Sequence, residues 1–159
     1  MIKLIPEAEL VRKEFFVREI DFPESISLTK KSLLRWCALS LGLISKNESR
    51  DKAIAILDLL FTFLFTKKIN PTTLDIQDEL EKKYKIKTSE KLIRYHLNRL
   101  IDLNIIERKN NKYYINPSKE SENRKSLAES YKSWVKKQIE KEMEKTSIAL
   151  DKLQSSYEK

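Results

Sequence analysis

The glycine content of this chain limits its fold and chemistry more than any other feature: Gly42 is the only glycine among 159 residues. Loops that hold phosphate groups, in P-loop and Rossmann folds alike, need several glycines so that the backbone can approach the ligand. One histidine and one cysteine are too few for a His/Cys zinc site. No serine or cysteine lies in a motif typical of a catalytic nucleophile. We therefore expect a protein that is not an enzyme and uses no cofactor or metal.

The composition indicates a globular protein of the cytoplasm. Hydrophobic residues make up 40% and charged residues 35%, which favours a folded, well-solvated chain over a disordered one. The lone Cys37 excludes an intramolecular disulfide and fits a reducing compartment. The longest apolar run, Ala53–Phe65, has 13 residues and includes Asp58, whereas a membrane span needs about 20. Acidic residues at positions 7 and 9 stand where a secretory signal would be apolar, so we predict neither secretion nor a membrane role.

Breaks in the hydrophobic pattern divide the chain into three predicted segments. Polar residues at 45, 47 and 49 mark the first break, and Pro117 marks the second. The segments are an N-terminal extension with one buried helix over residues 1–48, a compact unit over residues 49–117, and a long C-terminal helix over residues 118–159.

Two elements are expected in the N-terminal extension. Apolar and mixed residues alternate from Glu14 to Phe22, a period of two that predicts a strand. Ser27 or Thr29 then caps a helix that runs to about Leu43. Leucine and tryptophan side chains leave this helix little polar surface, so it should be buried, with the cysteine in its core. The glycine near its end is typical of a left-handed terminating residue.

The middle segment begins with a helix from about Arg50 to Lys67, which is apolar nearly all round and should be the central helix. After a turn at Asn70–Pro71, Thr72 and Asp75 have the form of a capping box. The helix that follows, Thr73–Tyr84, is amphipathic, and we expect its leucines at 74 and 80 to face inward.

A third helix and a hairpin complete the middle segment. Ser89 is a good N-cap for a helix over Glu90–Leu103. Two β-rich runs follow, Ile105–Lys109 and Lys112–Ile115, joined by Asn110 and Asn111. Because asparagine tolerates a positive φ, a two-residue turn is expected there. The tyrosines at 113 and 114 alternate faces of the second strand, so one of them should lie in the core.

The residues SEKLIRYHLNRLIDLNIIERKNNKYYINP, positions 89–117, resemble archaeal and bacterial winged helix-turn-helix regulators of the ArsR and MarR kind. RYHLNRL followed by IIER is common across that superfamily, where it forms the recognition helix and the strand leading into the wing. The resemblance extends over residues 49–117. It implies a winged helix-turn-helix for that region, while residues 1–48 resemble no family. With the flanking segments predicted from the residue pattern, the expected fold is mainly α: a winged helix-turn-helix with an N-terminal helical extension and a long C-terminal amphipathic helix. Many relatives have glycine where this chain has Asn104, which can also adopt the left-handed conformation.

The third helix of the middle segment has two different sides. At about 100° per residue, Ile93, Leu97, Leu100 and His96 gather on one side, which we expect to pack against the central helix. The other side carries arginine and asparagine, which can read base edges, and lysine and tyrosine, which suit phosphate or sugar. The predicted DNA-binding residues are Ser89, Lys91, Arg94, Tyr95, Asn98 and Arg99 in the helix and Arg108, Lys109, Asn110, Asn111 and Lys112 in the hairpin.

Charge is concentrated in the same region. The whole chain has a formal net charge of +8, while residues 82–112 alone hold 10 basic and 3 acidic side chains, a net charge of +7. A patch of this kind favours a polyphosphate partner.

The C-terminal segment contains no glycine or proline from Ser121 onward. Apolar residues recur there at spacings of three and four, which predicts a long amphipathic helix with one narrow apolar stripe. Successive spacings of four from Tyr131 to Met143 depart from a strict heptad. The stripe should pair with a second copy or dock on a different protein. The predicted dimerisation residues are Tyr131, Val135, Ile139, Met143, Leu150 and Leu153.

We therefore predict a dimeric DNA-binding transcriptional regulator, with its recognition helix in the major groove of double-stranded DNA and its basic wing on the backbone. Two-fold symmetry would present the recognition helices to half-sites about 34 Å apart. The alternative is a winged-helix protein-interaction module in a transcription, replication or RNA-processing complex, favoured by the apolar helix over residues 33–43 and by the C-terminal stripe. Structured RNA is a third partner, for which the sequence shows no RNA-binding signature.

Overall fold

The computed structural model describes residues 3–45 and 51–159. The chain is mainly helical and divides into two compact units, Met1–Ser45 and Lys46–Lys159. The predicted boundary between residues 48 and 49, and the predicted helix start at Arg50, lie outside the described residues.

The first unit contains one α-helix with well-defined caps. The side chain of Thr29 accepts a hydrogen bond from the backbone N–H of Ser32 at 3.0 Å, which caps the helix as predicted. At the other end, Gly42 has φ +72°, and the N–H of Leu43 donates to the carbonyl of Ala38 at 2.8 Å. This left-handed termination confirms the expected role of the glycine. The elements are 3₁₀ turns over Pro6–Leu10 and Glu24–Leu28 and helix α1 over Lys30–Ser40.

The predicted strand over Glu14–Phe22 is wrong, because this segment contains neither helix nor strand. Its side chains bind to α1 instead. The ring of Phe22 stacks on Trp36 with 4.7 Å between centroids, and the guanidinium of Arg18 donates to the carbonyl of Leu39 at 3.0 Å. Alternation alone does not make a strand, since the backbone also needs a neighbouring strand to pair with.

Helix α1 is less buried than its composition suggests. Ala38 is its only buried residue, and Cys37, expected in the core, is exposed. The apolar side chains of this helix point to most of its sides, and a unit of this size has too little chain to cover all of them.

The central helix α2 of the second unit is buried as predicted. It extends over Asp51–Phe61 and ends in a π-helical turn, Thr62–Thr66. From Ala53 to Leu60, every residue except Ile54 is buried, and the helix contacts both helices that follow it. Those elements are α3 over Thr73–Tyr84, α4 over Glu90–Asp102, and strands β1 over Ile106–Lys109 and β2 over Lys112–Ile115.

The predicted capping box begins α3: Thr72 accepts from the N–H of Asp75, and the Asp75 carboxylate accepts from the N–H of Thr72. The inward orientation expected for Leu74 is wrong, since this side chain is 54% exposed. Thr73, the neighbouring residue, is buried instead. A buried threonine is tolerated here because its hydroxyl forms a hydrogen bond with the hydroxyl of Tyr113, at 3.0 Å.

One carboxylate inside the apolar central helix joins α2 to α3. Asp58 accepts hydrogen bonds from the hydroxyl of Tyr84 and from Nζ of Lys83 at 3.1 Å. Burial, together with this hydrogen bond and the charge of Asp58, raises the pKa of Tyr84. A buried carboxylate is stable here because two donors satisfy it.

The C-terminal helix covers residues 127–157, so it begins nine residues later than the predicted segment over residues 118–159. It consists of α5 over Leu127–Tyr131, a π-helical turn over Lys132–Lys136, and α6 over Lys137–Tyr157. A π turn contains more residues than an α turn, so it offsets the rotational drift that spacings of four would otherwise produce.

Serine and tryptophan side chains hold the start of this helix against the chain that follows β2. Ser130 donates to the carbonyl of Asn116 at 2.6 Å, and the indole of Trp134 donates to the carbonyl of Pro117 at 2.9 Å. The backbone N–H of Lys119 donates to the hydroxyl of Ser133 at 3.2 Å. These bonds connect the C-terminal helix to the segment that follows the hairpin.

Candidate nucleic-acid interface

Helix α4 has one buried side, as its periodicity predicts. The hydroxyl of Ser89 accepts from the N–H of Leu92 at 3.2 Å and caps the helix. Three aliphatic side chains of the inner side, at positions 93, 97 and 100, are almost fully buried, and His96 is 7% exposed. The histidine lies at the core edge as expected, with its ring edge-on to Tyr95 at 5.3 Å.

The outer side of α4 is accessible to a ligand. Tyr95 is 54% exposed, and Lys91, Asn98 and Arg99 are exposed. Arg94 is half-buried, and its guanidinium lies 3.9 Å from the carboxylate of Glu90. This side of the helix therefore presents amide, phenol and cationic groups together, although the arginine at 94 is partly engaged within the helix.

Strands β1 and β2 form an antiparallel hairpin with the predicted two-residue turn. Lys109 pairs with Lys112 next to the turn, and Asn110 and Asn111 have φ values of +51° and +65°. A type I′ turn requires positive φ at both central residues, which explains why two asparagines connect these strands. All five of the hairpin residues predicted to bind DNA, at positions 108–112, are exposed.

The hairpin is anchored to the start of α3. Tyr113 is fully buried, its hydroxyl meets Thr73, and its N–H donates to the carbonyl of Pro71 at 2.9 Å. Thr72 and Lys112 form an isolated antiparallel bridge beside these contacts. Tyr113 is thus the core tyrosine that the alternation predicts, and Tyr114 is half-buried on the other face.

Charges at the hairpin tip are only partly compensated. The guanidinium of Arg108 lies over the ring of Tyr113 at 5.6 Å, and Lys109 is 3.2 Å from Glu107. The pairing of Lys109 with Lys112 places two like charges directly opposite each other, which destabilises an isolated hairpin. A negatively charged ligand at the tip would remove this repulsion.

Two lysines outside the predicted set lie just before α4. Lys85 and Lys87 are exposed, and Lys85 has φ +58°, in the left-handed region, at the end of α3. Lys87 is 3.8 Å from Glu81. They belong to the basic stretch over residues 82–112, and its charge excess is the signal that could have added them to the candidate set.

The predicted dimerisation residues fall into two groups. Val135 is only 6% exposed, and Tyr131 and Ile139 are half-buried, so these side chains already pack within their own chain. The remaining side chains of the set are exposed: Met143, Leu150 and Leu153.

No protein family, curated protein or solved structure matches this chain. Among the described residues, no helix combines the length and the apolar character that crossing a membrane requires.

Proposed function

We propose that this protein is a dimeric DNA-binding transcriptional regulator built on a winged helix-turn-helix, with α4 in the major groove and the hairpin tip on the DNA backbone. The observation that carries the proposal is the exposed outer side of α4, with Lys91, Tyr95 and Asn98, on an element that contacts the basic hairpin through β1. The order α2, α3, α4, β1, β2 supports it, as does the bridge from Thr72 to β2.

The composition of the outer side supports duplex DNA as the ligand. Asparagine can make a bidentate contact with adenine, and arginine with guanine, at base edges that only the major groove exposes. The first turns of a recognition helix usually meet the bases, which favours Lys91, Arg94 and Tyr95. The exposed tip, Arg108–Lys112, has the cations and amides that suit phosphate oxygens.

Fluorescence anisotropy with a labelled duplex of mixed sequence tests the proposal directly. We expect binding at low salt and a steep loss of affinity as salt rises, because phosphate contacts release counterions. Absence of binding at low salt would contradict DNA binding altogether. Affinity that stays constant across salt concentrations would contradict the assigned phosphate contacts, and preference for a duplex RNA competitor would move the function to RNA.

The paired lysines of the hairpin tip allow a test in which stability and affinity change in opposite directions. Lys112→Gln removes one of two facing charges, so we expect the free energy of unfolding to stay level or rise by about 0.2–1 kcal/mol. The same variant should bind duplex about tenfold more weakly at low salt, with a shallower salt dependence. Urea denaturation and anisotropy measure the two effects, and unchanged affinity would remove the tip from the interface.

A protein-interaction module remains the second candidate function, favoured by the first unit. Large apolar side chains are exposed there on short irregular segments, which is unusual for a surface that only faces water. A stoichiometric protein partner recovered by affinity purification, together with no affinity for duplex, would favour this function. The exposed apolar residues of the first unit are Leu4, Ile5, Leu10, Val11, Phe16, Val17, Phe22 and Leu28.

A further inference from the structure

The distal half of the C-terminal helix carries an uncovered apolar stripe. Every residue from 140 to 159 is exposed, including Leu150 at 59%. The stripe continues the half-buried Ile139 away from the hairpin, so the chain's own fold covers only its beginning. Its members are Ile139, Met143, Thr146, Leu150, Leu153 and Tyr157.

The spacing within this stripe is that of a coiled coil. Successive members are 4, 3, 4, 3 and 4 residues apart, the alternation of core positions in a heptad repeat. The preceding half of the helix, with spacings of four and a π turn, does not follow this repeat. Residues 137–157 carry four basic and four acidic side chains, so no net charge opposes the pairing of two identical helices.

We propose that α6 pairs with α6 of a second copy in antiparallel orientation, with Met143 opposite Leu153 and Thr146 opposite Leu150 of the other chain. Three acidic residues lie in the first part of α6, and two of them, Glu140 and Glu142, flank the stripe at its N-terminal end. Lys136 and Lys145 compensate these two charges only in part, because all four side chains are exposed. Parallel pairing would gather four carboxylates around that end, whereas antiparallel pairing places them near uncharged residues at 154 and 156. Opposed helix dipoles favour the same orientation.

The register predicts a distance between the two DNA-binding units, and this step rests on the proposed function. Equivalent residues are related through a centre at residue 148, nine residues beyond Ile139, the last residue of α6 that its own chain half-covers. At about 1.5 Å per residue, the two Ile139 positions are about 27 Å apart along the paired helices. Half-sites one helical turn apart are separated by about 34–36 Å, so the pairing sets the two globular parts at a separation of the same order as that spacing.

Two substitutions on the same turn of α6 test the pairing. Leu150→Lys places a charge in the proposed interface, whereas Ile148→Lys, about 200° around the helix, places the same charge outside it. Ile148 is 49% exposed, close to the value for Leu150, so both variants should fold. Size-exclusion chromatography with light scattering should show a dimer for the wild type and Ile148→Lys. We expect a dissociation constant about tenfold or more higher for Leu150→Lys.

A wild-type chain that stays monomeric at high micromolar concentration would overturn the pairing, and so would equal dissociation of both variants. These measurements contain no DNA, so a monomeric result would remove the dimer from the proposed function and leave DNA binding to be decided by the anisotropy measurement. Conversely, a dimer that does not bind duplex would leave the pairing intact and remove only the argument from half-site spacing.

Disulfide cross-linking tests the orientation, in a Cys37→Ser background that removes the exposed native thiol. Chains with Met143→Cys mixed with chains with Leu153→Cys should form a mixed disulfide, because antiparallel pairing brings these positions together. Neither variant alone should cross-link, since its two copies would be about 15 Å apart along the axis. Efficient cross-linking of Leu153→Cys alone would show parallel pairing and overturn the proposed orientation.

Discussion

Reversing two charges, Lys91→Glu on α4 together with Arg108→Glu on the hairpin, should lower the affinity for duplex DNA by roughly a hundredfold or more at low salt. Both side chains are exposed, so the substitutions should leave the core packing in place. Arg108→Glu also removes the contact of the guanidinium with the Tyr113 ring, so urea denaturation of the variant accompanies the binding measurement. Each one removes a cation from the phosphate surface and adds an anion that repels it. The slope of log affinity against log salt should fall by about 2, about one for each lost phosphate contact.

A matched variant, Lys141→Glu with Lys152→Glu, controls for the change in total charge. Both lysines are exposed on α6 and lie outside the predicted interface and the apolar stripe, so we expect affinity close to that of the wild type. Anisotropy titrations at several salt concentrations compare the two variants. If the α6 variant loses as much affinity as the α4 variant, binding depends on net charge and no specific surface has been identified.

Two neighbouring residues on opposite sides of α4 should separate stability from DNA binding. Leu97 is fully buried, so Leu97→Ala leaves a cavity and should lower the free energy of unfolding by about 3 kcal/mol. Asn98 is exposed, so Asn98→Ala should change stability by no more than about 0.5 kcal/mol. If Asn98 reads a base, its loss should reduce affinity for a preferred duplex by about 1–3 kcal/mol.

The comparison requires urea denaturation of both variants and anisotropy under conditions where Leu97→Ala remains folded. We expect near wild-type affinity for the folded Leu97→Ala protein, because its side chain does not reach the outer side of the helix. An Asn98→Ala variant that is strongly destabilised, or a Leu97→Ala variant that is not, would show that the two sides of α4 are assigned incorrectly.

Features that depend on a few neighbouring residues are predictable from the sequence. The caps at Thr29 and Ser89, the capping box at Thr72 and the two-asparagine turn are all present. The left-handed Asn104 has φ +63°. At the caps, the side chain and the backbone group it satisfies lie within about four residues of each other. At the asparagines, the positive φ depends on the conformational preference of the residue itself. The two sides of α4 follow from helical periodicity in the same way.

Other features depend on contacts with residues that are distant along the chain. The predictions that are wrong concern features of this kind. Residues 14–22 alternate like a strand, but the neighbours available to them are the rings and carbonyls of α1. Leu74 is exposed and Thr73 buried, because Tyr113, forty residues later, supplies a hydrogen-bond partner to the threonine. Periodicity identifies which residues share a side, but it does not identify which side finds a covering surface.

In the C-terminal helix, some features follow from neighbouring residues and others from contacts that are distant along the chain. Its sequence alone predicts a helix and an apolar stripe, because spacings of three and four place side chains on one face. Only the folded chain decides that Val135 is buried and Leu150 is exposed, since bonds from Ser130 and Trp134 to the chain after β2 hold the first turns against the hairpin. The sequence therefore determined the local geometry, whose energetics are short-range, while long-range packing decided how much of the stripe remained available to a partner.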